Sequence, residues 1–314
     1  MRKTTAVGLT LLSTVAFAPT AFAADPMPPP IVVAPQPPPP APPTLAGYVD
    51  AHFGMRWAYE EFFYDGTFEF DDEFRENVLG GAGRAAWNIN PSLALQMDAW
   101  FNMWQLLAEE EAEDPEGAGG VGMHVVFGSP TGIRFGALAS VGRIGSGTWS
   151  ADDGTWVNLA GELAATFGAF RVSTQGGFTL GIAGDAADDG ERAYYAVANA
   201  TFYPTDNLAI TGHAGWDRWY ETDDGGDNDV ETTLTVGARA ELKIGATPMS
   251  IYGGYAFDRA VFLNGDDPST FVTRSHTVYV GVRMLLGRDT LRALDNAVPF
   301  ADWNPIYGDP FAHR

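Results

Sequence analysis

The sequence predicts an all-β fold, a transmembrane up-and-down antiparallel β-barrel of about 12 strands, on three observations. Between residues 45 and 287, stretches of about ten residues alternate apolar with polar or small side chains. Strand side chains point to opposite faces with period two, so each stretch has one oily and one wet surface. The connections are alternately short and long, the asymmetry expected of bilayer-spanning barrels. The chain also opens with the features of an export leader.

Taken in order, Arg2-Lys3, the apolar run Ala6 to Ala18 and the small-x-small triplet Ala21-Phe22-Ala23 read as a signal peptide over residues 1–23. Ala24-Asp25 would then begin the mature chain. Residues 24–44 are dense in proline, with Pro28-Pro29-Pro30 and Pro37-Pro38-Pro39-Pro40. Such a segment is extended and semi-rigid, which suits a periplasmic tether.

The barrel is expected over 45–287. Its strands are read as 45–56, 77–89, 93–104, 118–127, 133–144, 156–167, 170–182, 193–203, 208–220, 231–244, 249–260 and 275–287. In the third, Leu93, Leu95, Met97, Ala99, Phe101 and Met103 share one face, with Gln96, Asp98 and Asn102 between them. Phase gives an internal check. Phe167 and Phe170 flank a two-residue turn, Ile244 and Met249 a four-residue one, and in each case both flanking residues belong to the apolar set. Long connections are expected at about 57–76, 105–117, 145–155, 183–192, 221–230 and 261–274. They gather acids such as Glu109-Glu110-Glu111, Asp152-Asp153, Asp188-Asp189, Asp223-Asp224 and Asp266-Asp267. An even strand count places both termini on the periplasmic side. Residues 288–314 form a periplasmic C-terminal tail carrying Leu291, Leu294, Phe300, Trp303, Tyr307 and Phe311. Whether it docks at the barrel mouth, partly plugs it or hangs free stays open.

Alternation alone does not say which face is inside, and in a soluble sandwich the oily set would be the core. Strand length, the leader and the loop asymmetry turn it outward to lipid instead. The formal net charge of −22 argues against nucleic acid as a partner. With no cysteine there is no lipid-anchor thiol, disulfide or thiolate metal site. No segment approaches the roughly 20 apolar residues of a spanning helix. Gly80-Gly81-Ala82-Gly83 lies within a strand with no helix after it, so it is sheet glycine and no phosphate loop.

With the oily face outward, the inward set holds Asp50, Asp98, Glu162, Asp217, Glu241 and Asp258 against Arg84, Arg134, Arg171, Arg239, Lys243 and Arg283. Ionisable groups on a barrel wall face water or one another, so these are the expected pore-lining residues. The leading reading is a porin-like passive channel for small hydrophilic solutes or ions. The alternative is a salt-bridged interior in a barrel that only fastens the membrane to the wall. His52, His124 and His213 take the same inward phase, on separate strands with no spacing that fixes a metal site. No serine–histidine signature points to a hydrolase, so no enzyme activity and no cofactor are expected. The expected partners are outer-membrane lipid and lipopolysaccharide, peptidoglycan and the barrel-assembly machinery; oligomeric state has no visible signature.

At the start of the first strand, Ala46-Gly47-Tyr48-Val49-Asp50-Ala51-His52-Phe53-Gly54 resembles the G-[FY]-Y-V-x-x-x-x-G opening of the alphaproteobacterial outer-membrane β-barrel family. The Ala-Asp mature terminus and the proline-rich lead are similar too. That resemblance implies a covalent link from the Ala24 amine to peptidoglycan. Two departures stand out: small members have eight strands, and the last strand here ends at Leu285-Leu286, well before the C-terminus.

Overall fold

The structure is a computed structural model that describes residues 45–90, 92–106, 116–146, 154–184, 190–222, 228–264 and 269–300. The leader, the tether with Ala24, and the acidic clusters of the long connections lie outside the described residues. Twelve strands form one closed barrel in which every neighbour pair is antiparallel. They are β1 (Leu45–Tyr64), β2 (Thr67–Asn90), β3 (Leu93–Leu106), β4 (Glu116–Gly128), β5 (Ile133–Ser146) and β6 (Thr155–Phe167). They continue as β7 (Phe170–Ala183), β8 (Arg192–Thr205), β9 (Leu208–Thr222), β10 (Asn228–Lys243), β11 (Met249–Leu263) and β12 (Ser269–Leu286). β1 closes on β12, so no edge is left to pair with another chain.

The wall is inside-out relative to a soluble protein. Val280 is 61 % exposed and Met97 65 %, whereas Gln96 beside Met97 is fully buried. At the short-turn end, the outward positions of β2 and β4–β8 carry Trp87, Phe127, Phe135, Phe167, Phe170 and Phe202, all exposed. Nearer the other end, Tyr59, Tyr194, Trp216 and Tyr255 are outward and exposed. Two aromatic belts bracketing an aliphatic band are what a bilayer's interfaces select. Val280→Arg should therefore destabilise the barrel refolded in lipid vesicles by about 2–4 kcal/mol, read by denaturant titration. A water-exposed surface would absorb that change at almost no cost.

One expectation is corrected. Residues 57–76 are no loop: β1 and β2 run on through them as a hairpin, in strands of 20 and 24 residues. A tilted spanning strand needs only about 9–11. Asp65 and Gly66 make the turn with φ of 47° and 74°, the left-handed pair that matches strand twist. β12 follows the projection as far as Ser269, opposite Tyr64. Above the bilayer the apolar/polar alternation has no lipid to obey. Pairing there is held by Phe62 between Phe70 and Phe271, at ring distances of 5.1 and 4.7 Å, and by the Arg274–Glu61 ion pair at 2.6 Å.

After β12, Gly287 adopts φ 68°, and a Cβ there would run into the Leu45 carbonyl. The chain turns back over the rim and forms a short helix, α1 (Leu291–Ala297). Its N-cap Thr290 accepts the Ala293 N–H through its hydroxyl at 3.1 Å. Leu291, Leu294 and Ala297 share one buried face, which with Val298 meets Ala46, Tyr48, Ala86, Tyr203, Ala209 and Leu285. The segment read as a tail from residue 288 thus begins inside the barrel mouth.

Candidate functional site

The inner wall carries the fifteen side chains expected there from the sequence, each on the buried phase of its strand. His52, Arg84, His124, Arg134, Glu162, Arg171, His213, Asp217, Glu241, Lys243, Asp258 and Arg283 are buried. The Asp50, Asp98 and Arg239 side chains are little more exposed.

They fall into separate groups. Arg84 and Asp98 are direct cross-strand partners on β2 and β3, with Nε 2.9 Å from Oδ1. The other oxygen of Asp98 meets His124 Nε2 at 2.6 Å, and His124 Nδ1 lies 2.9 Å from Glu162. Gln175 donates to Glu162 at 2.8 Å. Opposite, Arg283 bridges Asp50 at 3.0 Å and Glu241 at 3.1 Å. Its guanidinium stacks on Tyr48, 3.8 Å from the ring centre, while Arg239 pairs with the same Glu241 and stacks on Tyr252. Asp258 accepts from Thr235 at 2.7 Å and Ser275 at 3.2 Å. Lys243 donates to the Gly245 carbonyl at 2.9 Å.

The three histidines do not converge. His52 and His213 border a common cavity, while His124 is clasped between two carboxylates. Among the described residues no group of histidines and acids has the geometry to hold a metal. Both ring nitrogens of His124 are committed to carboxylates, so neither is left to take a proton from a nucleophile.

What sequence reasoning missed is the partner supplied by the C-terminal segment. Phe300 stacks on His124, rings 9° from parallel, in a niche of Ala94, Val126 and Ala164. Its carbonyl accepts from Arg84. Asp295 accepts from Tyr203, and Asn296 accepts from Thr166 at 3.2 Å. The spacing Leu291, Leu294, Ala297 was a helical signal, but nothing in it named the surface it covers. Between this plug and the wall lies a cavity of about 120 Å3, bordered by Asp50, Arg171, Arg239, Glu241, Asp295 and Val298 among others. A Cβ at Gly136 would strike the Phe300 ring and the Glu162 carboxylate. Gly136→Val should therefore unseat the segment, seen as faster protease cleavage between residues 288 and 300 with the barrel itself intact.

No family model and no curated protein matches the chain. Solved structures do. An outer-membrane channel from Pseudomonas putida F1 aligns with a TM-score of 0.51 at 10 % identity, over 77 % of this chain and 96 % of that one. The β domain of the Bordetella autotransporter BrkA aligns at 0.44 and 11 % identity, over 77 % and 99 %. The translocator domain of the autotransporter NalP from Neisseria meningitidis aligns at 0.42 and 12 %, over 75 % and 88 %. The class this fold defines is the outer-membrane β-barrel.

Proposed function

We propose that the barrel is a narrow passive channel for small hydrophilic solutes, entered from the acidic long-loop end and stoppered at the short-turn end by residues 291–300. The observation that carries this reading is the interior itself. Its wall is charged and hydrogen-bonded, it borders a cavity lined by charged groups, and the seal is a short segment that leaves the barrel wall at Gly287 and packs back into the mouth. The Pseudomonas relative in fold is a channel by its description, which agrees with this reading without carrying it. In this reading the short turns and both termini face the periplasm, behind a cleaved leader. The chain acts without catalysis and without a cofactor. Planar-bilayer recording of the refolded full-length protein should show discrete steps interrupted by long closures, with the open-state conductance changed by Asp98→Ala. A barrel silent at every voltage, with or without the plug, overturns the proposal.

A second reading has its own observation. The ion-paired interior and seated plug also suit a barrel that conducts nothing and fastens the outer membrane to peptidoglycan through Ala24, as members of the resembling family do. A muropeptide on the Ala24 peptide after wall digestion, combined with electrical silence, would establish it.

A further inference from the structure

Most interior cations have an acid at hand, as Arg84 has Asp98, Arg283 has Asp50 and Glu241, and Arg56 has Glu76 at 3.1 Å. Three arginines at the short-turn end differ. Arg134 on β5, Arg171 on β7 and Arg288 just after β12 make no ion pair among the described residues. Arg134 is 4 % exposed and Arg171 8 %. Buried N–H groups on all three lack an acceptor: Nε and Nη1 of Arg134, Nη2 of Arg171 and Nε of Arg288.

They also share a neighbourhood. Arg134 pairs with Ala164 and Arg171 with Thr166, so the two flank β6 on the inner face with the Ala164 methyl and the Thr166 hydroxyl, which donates to Asn296, beside them. Arg171 and Arg288 are both within electrostatic reach of Arg134. Asp295, which borders the same cavity as Arg171, is already engaged by the Tyr203 hydroxyl.

Gathering like charges out of water with unfilled donors is costly, and the cost disappears when a counter-ion supplies both charge and acceptors. A guanidinium offers a planar fork of donors matched to two oxygens of one anion, which a lone chloride would not fill. We propose that Arg134, Arg171 and Arg288 form a binding site for a free small oxyanion of the carboxylate or phosphate class at the short-turn mouth, whether or not the barrel conducts. The same chemistry is available from Asp302 and Asp309 of this chain, and the test separates the two sources.

Inorganic phosphate is titrated calorimetrically into the full-length protein, refolded in neutral detergent in low-chloride buffer. Saturable binding is expected, weakened about tenfold or more by R134Q/R171Q. R134K/R171K, which keeps the charge and loses the fork, should fall between. R75Q, at an exposed arginine paired with Glu73 on the projecting hairpin, should bind as the parent does. Circular dichroism and heat-shifted electrophoretic mobility establish that each variant is folded. If the double variant does not fold, the partly exposed R288Q takes its place. No saturable binding, or binding indifferent to these changes, overturns the proposal. So does binding that appears only in D302N/D309N, because the chain's own acids would then occupy the site. Electrical silence in bilayers leaves the titration untouched, so the channel reading and this one fail separately.

Discussion

Deletion of residues 288–314 should convert a mostly closed barrel into a steadily open one, raising mean conductance by about tenfold. Leu291, Leu294, Ala297, Val298 and Phe300 pack against the inner wall at the short-turn mouth. The inner wall left behind would be charged and small-chained, so water would enter. Leu294→Asp is the gentler version. It places a carboxylate at a site now completely buried against alanine, tyrosine and leucine, and the helix should leave rather than bury it. Single-channel recording with electrophoretic mobility as the folding check reads both. If the truncated, folded barrel conducts no better than the parent, the segment is not the seal.

Arg283→Met should be the most damaging single change in the lumen, costing about 3–5 kcal/mol of barrel stability. Arg283 is the shared partner of Asp50 and Glu241, and its removal leaves Asp50 without its cation and Glu241 with Arg239 alone, in a site where the tyrosines that flanked the guanidinium offer no replacement charge. The double variant R283M/D50N removes the stranded acid with the base, leaves the Arg239–Glu241 pair in place, and should recover most of the loss. Denaturant titration in lipid vesicles checks both, and additive rather than compensating effects would show that Arg283 and Asp50 do not act as one unit.

Much of this was legible in the sequence because period-two alternation and turn chemistry are local signals. Counting back from the turn at residues 90–92 brings Arg84 opposite Asp98, the register the barrel has. Asp50 and Arg283 also face each other directly, yet no turn joins β1 to β12. Their pairing depends on closure of the whole sheet and had no local trace. The hairpin beyond residue 56 was hidden by a different cause. Once clear of lipid, its outward positions include Glu61, Glu73 and Arg75, so the oily face that marks the other strands disappears there. Asp65-Gly66 was the surviving signal. Phe300 lay beyond reach, because an aromatic near a C-terminus says nothing about a niche assembled from β3, β4 and β6.

The seat of α1 draws on β1, β2, β8 and β9 together with β12. It therefore does not exist until the first and last strands have been zipped, and the stretch that follows β12 has nowhere to settle before then. Maturation acquires a direction: the cylinder must be completed before it can be corked. A half-assembled intermediate would trail this oily hook in the aqueous compartment, where protease sensitivity at residues 288–300 would report how far assembly has gone.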